Sequence, residues 1–348
     1  MRAVQLVAHG KPGKFELRQL PEPSPGPEEV VVQIEACGLN YLDLWLEEAG
    51  LPIPIPLPRT PGGEIAGLVF KTGEAVTDWK PGDPVAIQSN LFCGECEFCR
   101  RGEESLCLHS ELLGVQRDGG FADKVVVPAS ALVRLPDEVD FESSAALTLA
   151  GSTAMHMLTS RAELRRGDWV LVIAGASGVG SAAIQIARQL DARVISTGSS
   201  GAKRSLALRL GAEFVVDSND PGWPAEVRKI TEKHGADLVV EHVGGDVLLK
   251  CFECLARGGT IVTCGATAGR DVKLNLWPFF AKEQRLIGSY GRNRTDILAT
   301  LDWAAAGRLK PVVDSVFTFD QAAAAFTRLR SRSVLGKVLI KPNSVIAV

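Results

Sequence analysis

The pattern of hydrophobic and polar positions changes twice along the chain. In the first part, short apolar, β-branched runs such as EVVVQIEACGL and GEIAGLVFKTG are bordered by Gly and Pro, which predicts strands. The segment GLPIPIPLPRTPGG (Gly50–Gly63) carries too many prolines for a helix and predicts an extended loop. At Phe141 the period becomes helical, in FESSAALTLAGSTAMHML. From Asp168 strand-like and helix-like segments alternate: WVLVIA, VGSAAIQIARQL, ARVIST, AKRSLALRLGA, FVVD, PAEVRKITEKHG, ADLVVEHV, DVLLKCFECLARGG, TIVTCG, RLIGSYG. Such alternation predicts parallel strands joined by right-handed crossovers, with helices on both faces. The last stretch, DSVFTFDQAAAAFTRLRSRSVLGKVLIKP, returns to strand, helix, strand. The expected fold class is α/β, a β-rich part followed by a doubly wound parallel sheet.

A chain of 348 residues has room for two domains, each with its own core. Its formal net charge of −3 gives no basic surface for nucleic acid or an anionic membrane. The first residues, MRAVQLVAHGKPG, lack the apolar core of a signal peptide, and no apolar run is long enough to span a bilayer. The expected location is the cytoplasm, where thiols stay reduced.

The chemistry concentrates in two places. VLVIAGASGVGSAAIQIA joins a strand to a helix through Gly175, Ala176, Ser177, Gly178, Val179 and Gly180. Glycines there permit a tight turn and close approach of backbone to a pyrophosphate, and the helix start offers free N–H groups and a positive dipole end. In its alternating context this predicts a dinucleotide site. The next strand ends in GSSGAKRS, without the acid that a ribose diol favours. Ser199, Ser200, Lys203 and Arg204 suit a 2′-phosphate instead, which favours NADP(H) over NAD(H); Lys203 and Arg204 also fit a solvated helix start.

The second place is CGECEFCRRGEESLC, with Cys93, Cys96, Cys99 and Cys107 spaced C-x2-C-x2-C-x7-C. It holds half of the eight cysteines. Four soft ligands at this density suit tetrahedral zinc, and four protein ligands leave no position for substrate.

With both motifs, GEIAG and LGA (Leu210–Ala212), nearly the whole chain resembles the medium-chain dehydrogenase/reductase superfamily of zinc alcohol dehydrogenases and quinone oxidoreductases. The resemblance implies a GroES-like catalytic domain over residues 1–149 and 291–348, with a structural-zinc lobe at 90–110, and a Rossmann domain over 150–290. It implies one structural zinc on the four lobe cysteines. It implies cofactor contacts from the glycine turn, Thr153, Val243, Gly265 and Lys337. Where the family places catalytic-zinc ligands, this chain has Asn40, Gly63 and Leu149, so all three ligands are missing. Family members pair, so a homodimer or homotetramer is expected.

Zinc stabilises an alkoxide during alcohol oxidation. Without it, hydride transfer to a quinone or an α,β-unsaturated carbonyl is easier, since hydrogen bonds suffice for the developing oxyanion. The expected function is an NADPH-dependent reductase of such a small molecule, with Asn40, Tyr41, Trp45 and Glu64 near the nicotinamide. Asn40 is expected to donate to a carbonyl oxygen or cap the helix after it; Tyr41 is a proton donor or a pocket wall. Two other readings stay open: an alcohol dehydrogenase of altered type, and an NADP(H)-binding sensor without turnover.

Overall fold

The computed structural model describes residues 1–342. The chain divides into two compact units, one of Met1–Leu149, Arg292–Gly307 and the segment from Pro311, the other of Ala150–Gly291 and Arg308–Lys310. No helix among the described residues is long and apolar enough to cross a membrane.

The first unit begins with the ribbon β1 (Arg2–Ala8) and β2 (Lys14–Gln19). It continues through β3 (Glu29–Leu39), α1 (Tyr41–Glu47), β4 (Glu64–Thr72), β5 (Pro84–Ile87), β6 (Asn90–Leu91), β7 (Glu111–Leu112), β8 (Lys124–Pro128), β9 (Leu132–Arg134) and α2 (Phe141–Leu147). The Pro-rich segment between α1 and β4 contains no helix or full strand, because proline removes donors and fixes φ.

The second unit opens with α3 (Ala150–Met155), whose end widens into a π-helical turn over His156–Arg161. There follow β10 (Trp169–Val172), α4 (Gly178–Gln189), β11 (Arg193–Gly198), α5 (Gly201–Arg209), β12 (Phe214–Asp217), α6 (Trp223–Ile230), β13 (Ala236–Glu241), α7 (Gly245–Cys254), β14 (Leu255–Thr263), α8 (Leu276–Ala281) and β15 (Arg285–Gly288). The six strands form a parallel sheet ordered β12-β11-β10-β13-β14-β15. Strand order reverses between β10 and β13, which opens a crevice at their carboxyl ends. Cys251 and Cys254 are buried in the core beside Leu248 and Ile261, as small hydrophobes.

The chain then returns to the first unit with α9 (Arg294–Ala305), β16 (Val313–Thr318), α10 (Ala322–Arg330) and β17 (Lys337–Lys341). The sheet there runs β16-β17-β3-β4-β5-β9, with β8 also on β3. Its core gathers Val32, Ile34, Ile65, Phe121, Phe326 and Ile340.

Two elements differ from the sequence expectation. FESSAALTLAGSTAMHML is not one helix: α2 ends before Leu149, whose backbone N–H leaves the helical ladder to donate to Glu64 Oε1 at 2.7 Å. DVLLKCFECLARGG is not wholly helical either. Leu255 already pairs with Ala236, and β14 resumes its register at Thr260 after Gly258 takes φ +69°.

Candidate active site and metal centre

In the first unit, the sheet register builds a polar cluster. Val338 of β17 pairs with Leu39 of β3, and Gly38 of β3 pairs with Glu64 of β4. Lys337 and Glu64 therefore meet at the ends of the two strands that flank β3. Lys337 Nζ donates to Glu64 Oε2 at 2.7 Å, to Asn40 Oδ1 at 2.6 Å and to the Leu39 carbonyl at 2.8 Å. Both charged side chains are buried, at 5% and 0% exposure. An ammonium has three donors, and all three are used here.

Asn40 is equally committed. Its Nδ2 donates to Glu64 Oε2 at 3.0 Å and to the Gly38 carbonyl at 3.3 Å. The structure thus places both Asn40 amide N–H groups on protein acceptors and Lys337 as a buried cation inside this cluster. Asn40 does occupy the N-cap of α1, where its backbone N–H donates to Asp43 Oδ2 at 2.8 Å. Asp43 also accepts from Gly62 N–H at 3.1 Å. Burial nevertheless pushes the Asp43 carboxyl up to about 6.

The three positions where the resemblance places catalytic-zinc ligands do not fit that metal. Asn40 is held as described. A Cβ on Gly63 would lie 2.8 Å from the Leu113 carbonyl oxygen, so no ligating side chain fits without a backbone shift. Leu149 offers only its backbone, already bonded to Glu64.

Tyr41 stands apart from this saturated cluster. Its Oη accepts from Arg332 Nη2 at 3.3 Å, and its own hydroxyl proton has no partner among the described residues. Its ring meets Trp45 edge-on, with centroids 5.9 Å apart. Trp45 lines a cavity of about 400 Å³ with Leu51, Pro52, Ile53, Pro54 and Ile55 of the Pro-rich loop.

The four lobe cysteines converge, with all four Sγ atoms within 4.8 Å of one another. The Sγ–Sγ distances are 3.5 Å for Cys96–Cys99, 3.6 Å for Cys93–Cys107 and 4.0 Å for Cys93–Cys99. Tetrahedral zinc at its usual Zn–S distance sets sulfurs about 3.8 Å apart, so the residues fit the ion. Backbone N–H groups of Cys93 and His109 point at Cys107 Sγ, and that of Cys96 at Cys93 Sγ. The Cys99 backbone N–H, with that of Leu108, holds the Cys96 thiol down at about 6, whereas burial pushes Cys99 up to about 12.

In the second unit, the turn after β10 has the form a dinucleotide requires. Ala174 takes φ +50°, with its N–H donated to Thr197 Oγ1 at 2.8 Å. A Cβ on Gly180 would meet the Ala174 carbonyl oxygen at 2.3 Å, so glycine is obligatory at that approach. Ser177 caps α4, its Oγ accepting from Gly180 N–H at 2.9 Å. The N–H groups of Gly178 and Val179 fall in the first turn, where helical N–H groups lack an intrahelical acceptor. Thr153 is buried on α3. Val243 N–H donates to buried Glu241 Oε1 at 2.5 Å, and Gly265 approaches the His242 carbonyl so closely that a Cβ would lie 2.6 Å from it.

At the end of β11, Ser200 caps α5, and Lys203 Nζ donates to Ser199 Oγ at 3.2 Å. Arg204 donates to the Gly198 carbonyl and pairs with Asp217 at 2.7 Å. Asp217 lies outside GSSGAKRS, on the adjacent strand opposite Gly198, so the local sequence carries no sign of it. His242, whose Nε2 lies 3.0 Å from Ser177 Oγ, also gave no sequence signal beyond its place at a strand end.

A parallel-sheet unit with a phosphate-binding turn and a β-rich unit carrying a four-thiolate lobe define a nucleotide-dependent oxidoreductase with a structural metal centre. Residues 26–137 match the family described as alcohol dehydrogenase GroES-like domain, and residues 178–306 that described as zinc-binding dehydrogenase. The chain belongs to the medium-chain dehydrogenase/reductase superfamily. It is similar to an NAD-dependent alcohol dehydrogenase of Sulfurisphaera tokodaii, 31% identical over 98% of this chain and 100% of that one. An acryloyl-coenzyme A reductase of the same organism is 27% identical over 97% of this chain and 99% of that one. A solved structure described as NAD-dependent alcohol dehydrogenase superposes with a TM-score of 0.95 at 39% identity, covering 99% of this chain and 100% of that one.

Proposed function

We propose that this oxidoreductase reduces a quinone or an α,β-unsaturated carbonyl with NADPH and uses no catalytic zinc. The observation that carries the proposal is the closed cluster of Lys337, Glu64 and Asn40, which replaces a ligand set with an internal ion pair. A substrate whose carbonyl is already conjugated needs no Lewis acid to accept hydride. Acryloyl-coenzyme A, the substrate named for one relative, is an α,β-unsaturated thioester of this kind.

When bound, the reduced nicotinamide supplies the hydride. This chain's residues do the rest. The Tyr41 hydroxyl is the donor suited to the substrate oxygen, because its proton is uncommitted and Arg332 occupies its acceptor side. The apolar cavity beside Trp45 suits the carbon skeleton of the acceptor. Asn40, Lys337 and Glu64 hold the start of α1 and so aim Tyr41, its first residue.

The preference for NADPH rests on Ser199, Ser200 and Lys203 around the end of β11. NAD(H) is the second reading, favoured by Asp217 opposite Gly198 and by the names of the relatives. Fluorescence titration with both reduced cofactors tests the choice. NADPH is expected to bind more tightly; equal or tighter NADH binding would assign Asp217 to the ribose instead.

A further inference from the structure

The crevice between β10 and β13 is bridged by one side-chain hydrogen bond, between Ser177 after the first strand and His242 after the second. Ser177 Oγ already accepts from Gly180 N–H. Its second lone pair and its proton remain, and His242 decides which of the two faces outward. The other imidazole nitrogen, Nδ1, is buried without a hydrogen-bond partner. Burial also lowers the pKa of the ring, despite the neighbouring Glu241 carboxylate, so the imidazole is neutral and carries one proton.

Two tautomers are available. With the proton on Nδ1, a buried N–H faces no acceptor, which folded proteins avoid, and Ser177 must turn its own proton to Nε2. With the proton on Nε2, His242 donates to Ser177, both Ser177 lone pairs are filled, and the hydroxyl proton is free. The free N–H groups of Gly178 and Val179 lie on the same helix start. Pyrophosphate oxygens are acceptors only, so an anion there selects the second tautomer.

We infer that His242 is a positioning residue of the cofactor site, which by donating Nε2–H to Ser177 makes the Ser177 hydroxyl a donor to the cofactor pyrophosphate. The inference rests on the nicotinamide cofactor and is independent of the acceptor and of the choice between NADP and NAD.

The test is binding rather than turnover. Kd values for NADPH and NADH are measured by fluorescence with wild type, His242→Leu, Ser177→Ala and the double variant. Wild-type binding checks the cofactor assignment separately. A hydrogen bond to a charged group makes the expected loss about tenfold for either single variant. The double variant is expected to lose no more than Ser177→Ala alone, and His242→Gln, which keeps a donor, to recover part of the loss. Nitrogen-15 NMR of the histidines in the wild-type chain, which needs no substitution, is expected to find His242 protonated at Nε2 when cofactor is bound. Losses that multiply in the double variant, unchanged affinity in His242→Leu, or a proton on Nδ1 in the bound state would each overturn the inference.

Discussion

Lys337 Nζ lies 2.6 Å from Asn40 Oδ1 and 2.7 Å from Glu64 Oε2, so a cation of the chain itself occupies the polar centre of the first unit. Removing one partner of a buried pair strands the other charge. Lys337→Met is therefore expected to destabilise the protein by about 3–5 kcal/mol. In a Glu64→Gln background the same replacement should cost much less, because no carboxylate is left behind. Urea unfolding of the four proteins measures this; equal losses in both backgrounds would mean that the pair is not coupled.

Asp43 makes a separate pH prediction. Its folded pKa, about 6, is above that of an unfolded aspartate because of burial. The folded state thus holds the proton more tightly, and stability from this group falls as pH rises through 6. Between pH 5.5 and 7.5 the loss is about 1 kcal/mol. Asp43→Asn should flatten that part of the stability profile. A profile unchanged by the substitution would show that Asp43 is ionised throughout the range.

The lobe cysteines predict one zinc per chain. Cys96→Ser removes one of the four converging sulfurs and should lower both bound zinc and the melting temperature, since structural zinc contributes folding free energy. Zinc analysis and calorimetry of the variant check this together. Full zinc content in the variant would mean that other ligands hold it.

What could be read from the sequence was local. The phosphate-binding turn and the thiolate lobe each lie within a short stretch, where glycine and cysteine spacing map directly onto geometry. The polar cluster could not be read that way. Lys337 and Asn40 are 297 positions apart, and only the pairing of β17 with β3 brings them together. The sequence placed Asn40 near the chemistry, but its amide is consumed by Lys337, Gly38 and Glu64. The break between α2 and α3 was also hidden, because Leu149 is a good helix former whose N–H is captured by a carboxylate from another strand. Asp217 and His242 escaped for the same reason: each acts across a strand boundary, where periodicity carries no signal.

The most direct test of a zinc-free reduction is NADPH oxidation by quinones and α,β-unsaturated carbonyls, measured beside NADP⁺ reduction by simple alcohols. Tyr41→Phe is run in parallel, and a chelator is used that leaves the fold intact. The account predicts turnover with the conjugated acceptors that survives chelation, and a rate in Tyr41→Phe lower by about a hundredfold if the hydroxyl bonds the developing oxyanion. Zinc-dependent oxidation of simple alcohols, abolished by the chelator and indifferent to Tyr41, would contradict it.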